Sequence, residues 1–308
     1  MKRRGFIKSS VGAGVAAVAA ASLGSFEKAL GSAPVPVNSD YDIVAVKGGE
    51  PAAMFDLGIQ AMGGMGAFVS KGQRVVIKPN IGWDVVPEKA ANTNPELVKR
   101  IIEHCIKAGA SEVLVFDHTC DNWVKCYKSS GIEKAAKDAG AKVVPADSES
   151  YYKQVNIPNG KRLTSAKVHE LIINSDVFIN VPVLKNHGGA IMTGALKNMM
   201  GVVWDRGYWH KNDLNQCIAD YALYPKKPAL HVLDAYRVMT KNGPRGVSVD
   251  DVTFMQSLLL STDWVAIDAA GAKMLNLEPS AVKYITLAAE MGLGKCDLSK
   301  LNINRIKI

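Results

Sequence analysis

Apolar residues recur along this chain with two spacings, one typical of buried strands and one typical of helices packed on a sheet. Short apolar runs rich in β-branched residues predict strands over 41–47, 74–78, 112–116, 142–144, 176–181 and 229–233. Between strands the spacing becomes helical, as in Leu97, Ile101 and Cys105, which predicts a helix over 95–108. Asn94 is a natural N-cap for this helix.

The alternation of strands and helices predicts the fold class. Further helices are predicted over 52–62, 132–139, 213–222, 264–274 and 279–291, a hairpin around 158–160, and an edge strand over 301–308. Short connections between alternating elements are typical of α/β proteins. We therefore expect a mostly parallel sheet with helices on both faces. Ligands of such proteins bind beyond the carboxyl ends of the strands, and we expect the cleft there.

Four predicted strands end in polar residues, which buried strands do not require. The four pairs are Lys78 and Asn80, Asp117 and His118, Lys185 and His187, and Asp234 and Arg237. Because the carboxyl ends of parallel strands meet at one edge of a sheet, these side chains are expected to line a single cleft.

Residues 176–210 contain the largest concentration of candidate ligand-binding side chains. After the strand, Pro182 is expected to end regular pairing, and Lys185 is expected to lie in a glycine-flanked loop. Thr193 is expected to open a helix that runs to Gly201, with Lys197 inside it. Both lysines can then face one anion at the N-terminus of that helix, where N–H groups and the helix dipole favour negative charge. An ordinary surface loop with solvated lysines is the alternative.

The residue types predict three roles in the cleft. Lys185 and His187 are the catalytic candidates, because histidine transfers protons near neutral pH. Asp117, His118 and His187 are the candidate metal ligands. The candidate cofactor-binding residues are Lys78, Asn80, Thr193, Gly194, Lys197 and Asn198. No G-x-G-x-x-G or Walker lysine motif is present, so we expect a metal ion or a nucleotide-derived organic cofactor rather than ordinary NAD or ATP.

The beginning of the chain predicts export. The run Arg3-Arg4-Gly5-Phe6-Ile7-Lys8 is a twin-arginine core, followed by an uncharged stretch over 9–25. We predict a twin-arginine signal peptide over 1–31, a single α/β domain over 32–308, and a periplasmic location; an uncleaved signal that anchors the protein is the alternative. The twin-arginine export machinery is then a partner. Because it moves folded proteins, it favours a cofactor inserted before export.

Charge and cysteine usage narrow the ligand classes. The chain has a net charge of +8, and removal of 1–31 takes four of these charges away, which leaves too little for nucleic-acid binding. Five cysteines form no C-x-x-C pair, so a cysteine-bound iron–sulfur cluster is not indicated. In an oxidising compartment, Cys120 and Cys126 could form a disulfide.

Several of these segments together resemble the domain of unknown function 362 family. They are V-I-K-P-N, T-N-P-E-L, V-F-D-H, I-N-V-P-V-L-K-N-H, T-G-A-L-K-N-M-M-G and S-T-D-W-V-A-I-D, within roughly 42–294. The family usually has Lys-Thr-His where this chain has Lys185-Asn186-His187, and many members carry an iron–sulfur domain that this chain lacks. The resemblance implies the fold and the site, but no reaction. The layout is also similar to the nickel-pincer lactate racemase, in which an α/β scaffold holds a nucleotide-derived metal cofactor.

Three functions are consistent with the sequence. The first is a periplasmic enzyme that depends on a cofactor or metal, redox or racemase-like, with a small anionic ligand in the cleft. The second is a non-catalytic protein that binds an anion or metal and delivers it to a partner. The third is an accessory subunit of an envelope redox complex, with a redox protein as its partner.

Overall fold

The structure is a computed structural model that describes residues 40–308. The predicted signal peptide lies outside the described residues. The strands are β1 Ile43–Lys47, β2 Arg74–Pro79, β3 Glu112–Val115, β4 Lys142–Val143, β5 Tyr152–Asn156, β6 Ser165–His169, β7 Val177–Val181, β8 Val183–His187, β9 Ile191–Thr193, β10 Leu230–Met239, β11 Val252–Ser261 and β12 Ile303–Lys307. The α-helices are α1 Pro51–Ala61, α2 Pro95–Lys107, α3 Trp123–Ser129, α4 Ile132–Asp138, α5 Glu170–Asn174, α6 Ala195–Asn198, α7 Arg206–Lys211, α8 Leu214–Tyr221, α9 Trp264–Met274 and α10 Lys283–Glu290.

The large sheet has the strand order β12-β1-β11-β10-β7-β2-β3-β4. The neighbours from β10 to β4 are all parallel, and β12 is parallel to β1, whereas β11 is antiparallel to β1 and to β10. The β8–β9 hairpin pairs with β10, and β5 and β6 form a separate antiparallel pair. The predicted mostly parallel sheet is confirmed, and β12 is an edge strand as expected.

Apolar side chains cover both faces of the sheet. In β2, Val75 and Ile77 belong to one core, which includes Phe55 of α1, while Val76 belongs to the other, which includes Ile267 of α9. Neighbouring side chains of a strand point to opposite faces, so a continuous apolar run is what a doubly covered strand requires. Burial of each such side chain contributes about 1.5–3 kcal/mol. Helices therefore lie on both faces, as the sequence predicted.

The helix α2 begins as its sequence indicates. The Asn94 side chain accepts a hydrogen bond from the Glu96 amide at 2.9 Å, and Leu97, Ile101 and Cys105 are buried. The Asn94 amide itself donates to Asp234 Oδ2 at 2.7 Å. This contact ties the start of α2 to the centre of the sheet.

Two expectations about strand ends were wrong. Pro182 does not end pairing, because β8 continues directly after it and folds back through β9, so that Lys185 and His187 lie in a hairpin rather than a loop. Strand β10 does not end at Asp234 but runs on to Met239 beside β11. The register of β10 and β11 shifts between Ala235 and Arg237, which lets the ladder continue past the polar residues. Within 40–308, no helix is both long and apolar enough to cross a bilayer.

Candidate functional site

A cavity of about 940 Å³ opens beyond the carboxyl ends of β2 and β3, beside the β8–β9 hairpin. Nearly all of the residues predicted to bind ligand line it, namely Lys78, Asn80, Asp117, His118, Lys185, His187, Thr193, Lys197 and Asn198. The position is the one that parallel α/β sheets use for ligands. The structure therefore brings three of the four predicted strand ends together.

Hydrogen bonds join the polar residues of three strand ends into one chain. Asn198 of α6 accepts from Lys78 Nζ at 2.8 Å and from Asn80 Nδ2 at 3.0 Å. Lys185 Nζ donates to Asn80 Oδ1 at 3.1 Å and also to the carbonyl of Ala91. The Asn198 amide donates to Asn180 Oδ1 at 2.8 Å. Asn198 thus contacts Lys78 directly and is linked to Lys185 through Asn80.

Lys78 is fully buried and forms an ion pair with Asp117, whose Oδ1 lies 2.8 Å from Lys78 Nζ. The other oxygen of Asp117 accepts from the Ile81 amide at 2.6 Å. Gly201 packs directly on this pair, and a Cβ at that position would overlap atoms of both partners. The absence of a side chain at Gly201 therefore leaves space for a buried ion pair.

The N-terminus of α6 does not face an anionic ligand, which corrects the expectation for this helix. The amides of Ala195 and Leu196 donate to the two carboxylate oxygens of Asp268 at 2.5 and 3.0 Å. A Cβ on Gly194 would overlap the same carboxylate. Gly194 and Asp268 therefore hold α6 against α9, and Gly194 is not among the residues that line the cavity.

Three lysine side chains are buried around the cavity. Burial, together with the like charge of Lys197, lowers the pKa of Lys185 to about 7. Burial likewise lowers the pKa of Lys197 to about 8. The pKa of Lys78 is also lowered by burial, although attraction to Asp117 opposes that shift. The protein therefore disfavours the charged form of each amine in the absence of a compensating anion.

The histidines differ from the sequence-based expectation. Burial, with repulsion from Lys197 and Lys185, lowers the pKa of His187 to about 3, so His187 is neutral at neutral pH and not poised for acid–base work. Its Nδ1 accepts from the Gly189 amide at 3.0 Å, which leaves the proton on Nε2. His118 Nδ1 lies 2.9 Å from the Val203 carbonyl and must donate to it, and burial lowers the pKa of His118 too.

The predicted metal ligands do not form a metal site. Across residues 40–308, no group of three or more His, Cys, Asp or Glu side chains is arranged to hold a metal ion. Asp117 forms an ion pair with the Lys78 ammonium, and His118 Nδ1 donates a hydrogen bond to the Val203 carbonyl. Asp117 and His118 thus contact other groups of the protein, and His187 lies near Lys185 and Lys197, so the three do not form a common ligand set among the described residues.

The fourth predicted strand end lies elsewhere. Asp234 accepts from the amides of Asn94 and Tyr236, and Arg237 lies over the rings of Tyr236 and Phe254. Neither Asp234 nor Arg237 lines the cavity. Asp234 connects β10 to the start of α2, and Arg237 packs on aromatic rings of β10 and β11.

The sequence did not single out Arg206, which the structure adds to the cavity. Arg206 begins α7 and donates to the carbonyls of His118 and Thr119 at 2.9 and 2.6 Å. The indole of Trp204 stacks on the His118 ring, with centroids 5.1 Å apart.

Cys120 lines the same wall and is a free thiol, as is Cys126, so the disulfide that the sequence left open is not formed. Apolar periodicity in the sequence does not identify Cys120, Trp204 or Arg206, since they lie in or directly after irregular segments.

Comparison with known proteins gives a family and distant structural relatives. The sequence profile described as Domain of unknown function (DUF362) matches residues 75–273. A thylakoid-associated protein from Synechocystis sp. is 26% identical over 244 residues, which are 77% of this chain and 73% of that protein. The lactate racemase apoprotein from Thermoanaerobacterium thermosaccharolyticum aligns with a TM-score of 0.46 at 11% identity, over 75% of this chain and 56% of its own. A structural-genomics protein from Thermotoga maritima aligns with a TM-score of 0.42 at 11% identity, over 72% and 55%. The chain thus spans little more than half the length of these two solved structures.

Proposed function

This chain belongs to the family of the domain of unknown function 362, and from that premise we propose that it is an exported enzyme that binds a small organic anion and exchanges a proton with it. One observation carries the proposal: three buried lysines line one cavity. Only Lys78 among them forms an ion pair within the described residues, with Asp117. An anionic ligand would supply the missing negative charge.

The energetics favour an anion over a neutral ligand. A buried ammonium without a counter-charge is costly, and the lowered pKa values of Lys185 and Lys197 express that cost. A carboxylate or phosphate between the two amines would gain charge-assisted hydrogen bonds, each worth about 1.5–3 kcal/mol. A cavity of about 940 Å³ lies within the range of small-molecule sites.

Lys185 is the proton carrier in this proposal. Its pKa of about 7 allows both protonation states near neutral pH, which suits a general base or acid. The carbonyl of Ala91 and the Asn80 side chain fix the direction of its amine. His187, neutral and protonated on Nε2, acts as a hydrogen-bond donor to the ligand rather than as the proton carrier.

An organic cofactor with phosphate or carboxylate groups fits this site by charge, held by Lys78, Lys185 and Lys197. When bound, it would supply an acceptor for the electron pair released by proton abstraction. A metal ion held by protein side chains alone does not fit, because no trio of ligand side chains is formed within 40–308 and the nearby ammonium groups repel a cation. Absorption spectra and elemental analysis of protein purified from the native envelope test this inference.

Hydrogen exchange at carbon tests the enzymatic reaction. Native protein, with whatever cofactor it retains, is incubated in D₂O with lactate, glycerate or malate, and loss of the C2–H signal is followed by NMR. Exchange that disappears in Lys185→Gln supports the proposal. Binding of these anions without exchange would favour the non-catalytic binding protein, and neither binding nor exchange would contradict both.

The pH dependence provides an independent check. Folding lowers the pKa of Lys185 and Lys197 below the ordinary lysine value of 10.5. The unfolded chain therefore binds more protons between about pH 7 and 10.5, and ligand-free protein should become more stable as pH rises through that window. Inorganic phosphate, which needs the charged amines, should bind more weakly over the same window. Thermal unfolding with and without phosphate from pH 6.5 to 9.5 measures both trends, and parallel trends would contradict the proposal.

Export is proposed from the N-terminal sequence. Replacing Arg3 and Arg4 together by lysine keeps the charge but removes the twin-arginine core, so we expect the protein to stay in the cytoplasm. Fractionation of cells that express the two forms, with a periplasmic and a cytoplasmic marker, measures the change. The matched control replaces Lys28 by arginine, which leaves the core intact. Equal periplasmic amounts of all three forms would refute the twin-arginine route, and absence of the parent form from the periplasm would refute the location.

The accessory-subunit function is retained as a second candidate, because the Synechocystis relative is named for association with thylakoids. Under this proposal the chain binds an envelope redox partner, and its cleft is not needed for that association. Co-purification of the Lys185→Gln variant with the same membrane complex as the parent protein would favour it.

A further inference from the structure

The thiol of Cys120 lies in an unusual position on the wall of the cavity. Cys120 is exposed, and Arg206 Nη1 lies 3.4 Å from its sulfur. The guanidinium cannot swing away freely, because it also donates to the carbonyls of His118 and Thr119. A cationic donor is thus held in place against an accessible sulfur.

The amine of Lys197 belongs to a second residue that lines the same cavity. Lys197 is 9% exposed, and its Nζ has only the thioether of Met200 as a hydrogen-bond acceptor within the described residues, at 3.4 Å. Burial is the main cause of the lowered pKa of Lys197, and attraction to the Cys120 sulfur is the largest opposing cause. A buried amine without an oxygen partner points to an anionic group bound in the cavity that Cys120 also lines.

The remaining cysteines lack these features. Cys105, Cys126 and Cys217 are buried, and burial raises the pKa of each thiol. Cys296 is partly exposed but does not line the cavity. These four provide internal controls for any chemistry measured at Cys120.

We propose that Cys120 is a nucleophile of the cleft, directed by Arg206 and Lys197 toward electrophiles that carry a carboxylate or phosphate. The thiolate is the nucleophilic form of cysteine, and reactive cysteines occur in electropositive, partly exposed surroundings of this kind. The inference rests on the proposed anion site for its preference for charged electrophiles, and on the Arg206 contact for its reactivity.

The covalent step is a substitution at carbon. The Cys120 thiol gives its proton to solvent, and the thiolate sulfur then forms a bond to the electrophilic carbon. The bond from that carbon to the leaving group breaks, and the leaving group departs with the electron pair. The anionic group of the electrophile remains beside the Lys197 ammonium. No oxidant, reductant or second substrate is needed.

Alkylation with two matched reagents tests the proposal. Iodoacetate carries a carboxylate and iodoacetamide does not, and with each the sulfur–carbon bond replaces the carbon–iodine bond. We expect iodoacetate to label Cys120 at least tenfold faster than Cys296 in the folded full chain, as followed by peptide mass spectrometry. The ratio of iodoacetate to iodoacetamide rates should be at least fivefold higher at Cys120 than at Cys296. Inorganic phosphate should slow the labelling of Cys120 alone.

Two variants separate the causes. Arg206→Gln should slow labelling of Cys120 by both reagents, whereas Lys197→Met should remove mainly the preference for iodoacetate. Arg245→Gln is the matched control, because Arg245 is an exposed partner of Asp121 and does not line the cavity.

Labelling of Cys120 no faster than Cys296 overturns the inference. If phosphate still binds in calorimetry, that outcome leaves the proposed anion site standing. Fast labelling without charge preference or phosphate protection overturns the inference as stated, and counts against the anion site as well.

Discussion

Asp117→Asn is expected to lower the free energy of unfolding by about 3–5 kcal/mol near neutral pH, because removal of one partner of a buried ion pair leaves the other charge uncompensated. Lys78 is fully buried, and Asp117 lies 2.8 Å from its amine. Asparagine keeps the shape of the side chain and can still accept from the Ile81 amide. The loss therefore measures the charge rather than the packing. Urea denaturation of both proteins, analysed with a shared slope, provides the measurement.

The pH dependence of this loss distinguishes the ion pair from a general defect. Without Asp117, burial lowers the pKa of Lys78 with no counter-charge to oppose it. The unfolded variant then binds more protons than the folded one, so its stability should rise with pH and the deficit should shrink toward pH 10. Asp138→Asn, at an exposed pair with Lys134, is the control and should change stability by less than about 1 kcal/mol. Equal losses in both variants would mean that the buried pair has no special role.

The position of the cavity followed from the sequence because one physical rule applies to it. Parallel strands share an edge, and a buried strand has no reason to end in a charge unless that edge has a use. Lys78 with Asn80 and Asp117 with His118 satisfied this reasoning, and Lys185 did so through the hairpin that follows β7. These positions depend on strand direction alone, which apolar patterning reveals.

The roles of the individual residues could not be predicted from the sequence, because they depend on tertiary contacts. Whether the amides at the start of α6 are free for a ligand depends on Asp268, which lies on a helix more than sixty residues further along. His187 was a reasonable acid–base candidate at its ordinary pKa, but burial beside two lysines changes its protonation. Asp234 accepts a hydrogen bond from the amide of Asn94, the N-cap of α2, and a sequence cannot distinguish that use from a ligand contact.

Buried amines that have no paired carboxylate among the described residues, as at Lys185 and Lys197, suit binding better than folding. Functional sites often contain arrangements that reduce stability, because the protein keeps groups there for the ligand. Lys197 is the clearest case, since its amine contacts a thioether and forms no ion pair within 40–308. The structure therefore predicts opposite effects of one substitution on stability and on binding.

Lys197→Met should raise the free energy of unfolding of the ligand-free protein by about 1–3 kcal/mol at pH 7 while weakening phosphate binding at least tenfold. Burial lowers the pKa of Lys197 to about 8, so its charged form destabilises the fold below that pH and the penalty fades toward pH 10.5. Methionine is similar in length to lysine. The substitution removes only the hydrogen bond to the Met200 thioether, so no buried oxygen loses a donor. Tenfold in affinity corresponds to about 1.4 kcal/mol. Urea denaturation and calorimetry with inorganic phosphate provide the two measurements.

Lys185→Met is the matched comparison, and it should stabilise the protein less. Its amine donates to Asn80 and to the Ala91 carbonyl, and their loss leaves buried acceptors unsatisfied at a cost of about 1–3 kcal/mol. Both variants should lose phosphate binding, but only Lys197→Met should clearly gain stability. A Lys197→Met protein that is less stable than the parent would show that this amine supports the fold, and the anion site would lose its main argument. Higher stability with unchanged phosphate binding would instead place the ligand elsewhere in the cavity.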